Sequence, residues 1–130
     1  MFHLTSVPRR CRWRQNPDST SGRFEGRDCD SGVSAFIVDA APGAGPSAHV
    51  HRYPETFVVL NGSVTFNVNG SECRASAGDV LTVPAGAAHG FAADAPEGVR
   101  LIGIHASARI AQTFVEDHGP LSTACAGGMK

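Results

Sequence analysis

Three histidines and one glutamate, in two short clusters, make up a set of metal donors. His49 and His51 stand two residues apart, so on a strand both side chains point to the same face. Glu55 follows beyond the Arg52-Tyr53-Pro54 bend and opens a run in which Phe57 and Val59 share its face. Those apolar companions mark the face as buried. A buried carboxylate is costly unless its charge is compensated, and a divalent cation compensates it directly. Without a cation, the Glu55 pKa should rise. His89 comes after Pro84-Ala85-Gly86, at the head of another strand, with Phe91 on its side. Three imidazoles and a carboxylate suit one divalent transition metal ion, and these donors do not discriminate among Fe, Mn, Ni, Zn, Co and Cu.

Other polar residues have two readings or a plain structural one. His105 shares a strand face with Val99, Leu101 and Gly103. It reads either as a proton shuttle near the metal or as a strand-end histidine bonded to backbone. Tyr53 reads as a residue of the pocket mouth or as aromatic packing over a turn. His3 and His118 read as surface residues, and Asp79 and Asp94 as turn formers.

The elements that must position these groups are short strands. Residues 33–40 form a β-branched and aromatic run ended by Pro42-Gly43. Residues 55–60 form a strand closed by Asn61-Gly62, a strong hairpin signal. Residues 63–68 alternate, with Val64, Phe66 and Val68 on one face, and turn through Asn69-Gly70 into 71–77. Further strands are expected over 80–83, 89–93, 99–106 and 110–115. Short strands at this spacing, with no segment offering a helix of three turns, predict an all-β sandwich or barrel. Residues 1–32 are polar and Arg-rich and read as an N-terminal arm with one edge strand near Phe24. Residues 33–118 then make the barrel, and 119–130 a flexible tail.

Composition narrows the function classes. The chain has 130 residues, enough for one core, with 42% apolar residues and a formal net charge of −1. That balance gives no general attraction to nucleic acid or anionic membrane. Arg9, Arg10, Arg12 and Arg14 make a local exception and read as a solvated arm rather than a nucleic-acid clasp. No stretch approaches the ~20 apolar residues of a membrane span. Cys11, Cys29, Cys73 and Cys125 show no C-x-x-C spacing, and residues 1–14 lack an apolar leader core, so a cytoplasmic protein with reduced thiols is expected.

The spacing resembles the cupin superfamily. Gly43-x5-His49-x-His51-x3-Glu55-x6-Gly62 is similar to the first cupin motif at every spaced position. Gly78-x5-Pro84-x-Gly86-x2-His89 is similar to the second, with Ala93 where its last element, Asn, usually stands. The short interval over residues 63–77 resembles that of small bacterial cupins. The resemblance implies a double-stranded β-helix (jelly-roll) barrel, a metal held by His49, His51, Glu55 and His89, and a homodimer built through β-strands. It also implies a small-molecule partner. Cupin sites of this kind resemble those of dioxygenases, isomerases, decarboxylases, lyases and polyketide cyclases. The leading expectation is a metalloenzyme acting on a small, metal-chelating organic substrate, with dioxygenase-like chemistry. Phe57, Phe66 and Phe91 would make the pocket wall apolar. The alternative is a non-catalytic module that binds a small ligand.

Overall fold

A computed structural model describes residues 7–115. His3, His118, Cys125 and the 119–130 tail lie outside the described residues, as does the end of the expected barrel at 116–118. The strands are β1 (Gly22–Phe24), β2 (Ser34–Ala40), β3 (His49–Val50), β4 (Glu55–Val68), β5 (Ser71–Ser76), β6 (Val80–Val83), β7 (His89–Ala93), β8 (Val99–His105) and β9 (Thr113–Phe114). One 3-10 turn, Gly26–Asp28, is the helical element among the described residues. The all-β, double-stranded β-helix expectation holds.

Two antiparallel leaves share β4. Its first half pairs with β6 and β8, and β8 continues through β2 to β1. Its second half pairs with β5 and β7, and β7 leads through β3 to β9. Phe57, Val59, Val64, Phe66, Phe91 and Leu101 pack between the leaves as the heart of the core. On β8 the alternation is strict, with Val99, Leu101, Gly103 and His105 buried and the residues between them half-buried.

The Asn61-Gly62 hairpin is not there. Strand β4 runs straight through it, and the register against β8 slips between Val59 and Asn61, leaving Leu60 as an exposed bulge. The slip has a tertiary cause. Before it the inward residues are odd-numbered (Glu55, Phe57, Val59), and after it Val64 and Phe66 face inward. A strand that crosses from one leaf to the other must exchange faces, and one extra residue does this. Gly62, at φ +76°, sits so close to the Gly98 carbonyl that a Cβ would lie 1.9 Å from its oxygen. The second signal is a true hairpin: Asn69 (φ +50°) and Gly70 (φ +86°) connect Val68 to Ser71 in a two-residue turn.

The expected strand over 110–115 contracts to β9. Its earlier backbone donors go to side chains: Ile110 N–H to Glu25 at 2.8 Å, and Ala111 N–H to the Tyr53 hydroxyl at 3.0 Å. This segment is tied to Glu25, to Tyr53 and to β3, as a strap. The arm also packs back, with Arg9 paired to Asp30 at 2.7 Å and the Trp13 carbonyl against Gly22. The Cys11 and Cys29 sulfurs, which sequence spacing did not bring together, lie 2.6 Å apart.

Asp94 is more than a turn former. It closes the β4–β7 corner by accepting hydrogen bonds from the Ser63 and Thr65 hydroxyls and from Arg74, whose Nε lies 3.0 Å away. The Arg74 hydrogen bond, opposed by burial and reinforced by the two hydroxyls, holds the Asp94 pKa at about 2, below its ordinary 3.8. A lowered folded-state pKa means that the stabilisation is complete above the ordinary value and is lost as pH falls towards about 2. Asp94→Asn should therefore cost about 1–2 kcal/mol near neutrality, with the deficit shrinking at pH 3. Urea unfolding of both proteins at the two pH values measures this; an equal deficit at both would contradict the assignment.

Candidate metal centre

The four candidate ligands come from three strands and one bend. His49 (β3) and His89 (first residue of β7) are register partners across the sheet. His51 follows β3, where its carbonyl accepts the Gly86 N–H at 2.9 Å, so the Pro84–Gly86 turn is tied to a candidate ligand. Glu55, the first residue of β4, faces Val83 on one side and His105 on the other. The Asn69 turn reaches the same place: its side-chain oxygen accepts the Ala88 N–H at 3.0 Å, next to His89.

All four side chains are buried, and one donor atom from each falls within 4.8 Å of the others. The orientation of the rings is set from behind. Each Nδ1 meets a backbone carbonyl: His49 that of Ser47 at 2.8 Å, His51 that of Tyr53 at 2.7 Å, and His89 that of Ala87 at 2.8 Å. A carbonyl only accepts, so each Nδ1 carries a proton and each Nε2 is the nitrogen turned to the interior, where it meets a metal ion or donates a second proton to a carboxylate. His51 Nε2 and His89 Nε2 lie 3.0 and 3.1 Å from Glu55 Oε1. A ring nitrogen and a carboxylate at that distance require a positive species, a proton or a metal ion, between them. Donors bound at right angles to a metal at about 2.1 Å are about 3 Å apart, so these two pairs are spaced as neighbours on a divalent ion would be.

The other carboxylate oxygen has its own environment. His105 Nε2 is 3.1 Å from Glu55 Oε2, at ion-pair distance but turned off the hydrogen-bond line, and it has no directed partner. Its Nδ1 lies 2.8 Å from the Tyr53 hydroxyl, which accepts the Ala111 N–H of the strap. The Tyr53 ring also stacks on His51, with centroids 4.4 Å apart and planes 11° from parallel. His105 is buried at a strand end and also borders the site. Its partner is the Tyr53 hydroxyl rather than backbone.

Electrostatics corrects one expectation. Burial pushes the Glu55 pKa up, but the close approach of His105, His89 and His51 outweighs it and holds the group at about 2. The carboxylate is ionised because imidazoles, and not apolar side chains alone, surround it. Burial pulls the His49 pKa down, keeping that ring neutral, and pushes the Tyr53 pKa up.

Gly103 was not singled out from sequence as a functional position. An added Cβ there would lie 2.3 Å from Glu55 Oε2 and 3.0 Å from Phe57, so the carboxylate rests directly on this glycine. The available signal was a glycine inside an otherwise bulky buried strand face. Beside the ligands lies a chamber of about 190 Å³ bordered by Phe57 and Phe91 as expected, and by Phe36. Phe66 is not on its wall; it is fully buried in the core behind Phe57.

Comparison with known proteins agrees with this architecture. A family profile described as a cupin domain matches residues 36–105, just over half of the chain. No curated protein sequence matches. Among solved structures, recombinant oxalate oxidase in complex with glycolate superposes with a TM-score of 0.63 at 21% identity, over 77% of this chain and 57% of that one. The oxalate decarboxylase of Lactobacillus farciminis, as its formate complex, gives 0.66 at 18% identity, over 77% of this chain and 32% of that one. An uncharacterised protein with a double-stranded β-helix domain from Klebsiella pneumoniae gives 0.64 at 21% identity, over 81% of this chain and 92% of that one. At such identities the likeness is one of fold, and this chain spans 57% of the oxalate oxidase chain. Among the described residues no helix is long and apolar enough to cross a membrane. By the profile match across its barrel strands, this chain belongs to the cupin family.

Proposed function

We propose that this cupin is a metalloenzyme in which His49, His51, Glu55 and His89 hold one divalent transition metal ion. Its substrate is a small organic molecule that chelates the metal from the adjoining chamber, and the chemistry is of the dioxygenase kind. One observation carries the reading: three rings fixed at Nδ1 by backbone carbonyls bring their donor atoms within 4.8 Å of one another and of a buried carboxylate. Bound there, the metal supplies Lewis acidity and a template that orients the chelating oxygens. The protein supplies the rest. The carbonyl contacts lock the rings, and Gly103 lets Glu55 settle between β4 and β8. His105 is placed to hold or pass a proton at Nε2, with Tyr53 fixing its far side. The apolar wall excludes water from the reacting group.

Protein purified without chelator should carry close to one equivalent of transition metal by elemental analysis, and His51→Ala should lose most of it. A fully loaded His51→Ala protein would overturn the ligand set. Oxygen uptake on a panel of small chelating organic acids and phenols separates the enzyme from a module that only binds a ligand. With an active substrate, Tyr53→Phe should keep its metal and lose at least about tenfold in kcat, because the proton-handling imidazole loses its anchor.

Gly103→Ala tests the carboxylate's seat. The added methyl forces Glu55 aside, and displacing a ligand's support costs about 10–100-fold in metal affinity. Competition against a coloured chelator measures it, and unchanged affinity would mean that Glu55 does not need this space.

Assembly as a homodimer through β-strand edges is part of the same proposal. Among the described residues β1 pairs with β2 alone, and β6 pairs with β4 alone and exposes Val80. Unprotected edges invite pairing. Light scattering at micromolar concentration should give about twice the 13.5 kDa chain mass; a monomer would refute the dimer and leave the metal site standing.

A further inference from the structure

The chamber beside the ligands has a wall of uneven chemistry. Phe36, Val38, Pro46, Phe57, Phe91 and Leu101 make most of it. His49, Glu55, His105 and Gln112 supply its polar atoms, and among the described residues neither Arg nor Lys lines it. Gln112 Oε1 is buried without a hydrogen-bond partner, whereas His105 Nε2, on a residue with no exposed surface, already has Glu55 Oε2 at 3.1 Å. Buried polar atoms nearly always find partners, so an unpaired Gln112 Oε1 on a residue of this wall indicates that something else completes it.

We infer that the chamber binds an uncharged, single-ring organic molecule carrying a hydroxyl or amino hydrogen. Gln112 is the residue that selects it, by accepting that hydrogen. The inference rests on the proposed metal-dependent function for its setting, but its physical basis is the wall itself. Size sets the ring number: an apolar cavity of about 150 Å³ takes up benzene, and this chamber is about 190 Å³. Charge sets the class. With a divalent ion bound, Glu55 leaves the site one net positive charge, so a dicarboxylate would still bury one negative charge with no cationic side chain among the described lining residues to meet it. This chamber is therefore unsuited to a small dianion such as oxalate, despite the shared fold with oxalate enzymes. Gln112 enters the site because the strap carries it there, immediately before β9 pairs with His49.

The test compares phenol with toluene, which have nearly the same shape and differ in one donor, by NMR titration of wild type and Gln112→Leu. Both proteins are examined as purified, with metal, and after chelation. In the chelated protein the preference cannot come from the metal, so the Gln112 assignment is tested even if the metal reading fails. Wild type should bind phenol about tenfold tighter than toluene in both states, the effect of one buried hydrogen bond. Gln112→Leu should abolish that preference while still binding toluene, which also shows that the variant is folded. Oxalate added to the metal-loaded protein should displace phenol at least tenfold less effectively than catechol does. Equal binding of phenol and toluene by wild type, a preference retained in Gln112→Leu, or oxalate displacing phenol as well as catechol would each overturn the inference. So would failure of both rings to bind.

Discussion

Glu55 brings a negative charge into the interior of a small barrel, and much of the surrounding architecture follows from accommodating it. Its Oε1 is shared by His51 and His89, while its Oε2 lies beside His105 and above the bare backbone of Gly103. A lone carboxylate in such a place would protonate. Here imidazoles approach from three sides and keep it ionised. The backbone carbonyls of Ser47, Tyr53 and Ala87 in turn decide which nitrogen each ligand ring presents. The arrangement is held from the outside inward: backbone geometry fixes Nδ1, Nδ1 fixes Nε2, and Nε2 fixes what can stand at the centre.

That chain of constraint explains why the bulge at Leu60 matters for the site as well as the core. Strand β4 delivers Glu55 inward at one end and, beyond the slip, Val64 and Phe66 inward at the other. Without the extra residue, one half of the strand would turn its apolar face to water. The same strand then pairs with β7 in a register that places Val68 opposite His89. Core and site are thus positioned by one element, so a change that shifts β4 would disturb both.

The cluster of His49, His51, Glu55 and His89 was legible in sequence because its information is local. His49 and His51 share a face by strand periodicity, Glu55 announces burial through Phe57 and Val59, and the Pro84–Gly86 turn precedes His89 at a spacing that resembles a known family. What was not legible is tertiary. The contact between Tyr53 and His105 joins residues 52 positions apart, and no local pattern distinguishes it from packing over a turn. Asn61-Gly62 has the composition of a hairpin, but face exchange between leaves overrides it; Asn69-Gly70, with the same dipeptide, does turn. The Glu55 pKa was expected to rise because apolar neighbours were counted along one strand. Its fall comes from imidazoles on other elements.

Fold likeness and site chemistry carry different kinds of information about substrate. The superposition with oxalate oxidase and oxalate decarboxylase concerns the path of the backbone, at identities too low to carry side-chain roles across. The chamber wall is built from side chains that this sequence supplies: Phe36 and Val38 from β2, Leu101 from β8, and Gln112 from a strap whose course depends on Glu25 and Tyr53. A barrel can keep its strand order and its metal donors while replacing every group that meets the substrate, because inward positions that do not ligate are constrained only by volume and polarity. In this chain most of those positions are apolar, and Gln112 Oε1 is left unpartnered. The wall, more than the backbone path, therefore sets which molecules can approach Glu55 and its histidines.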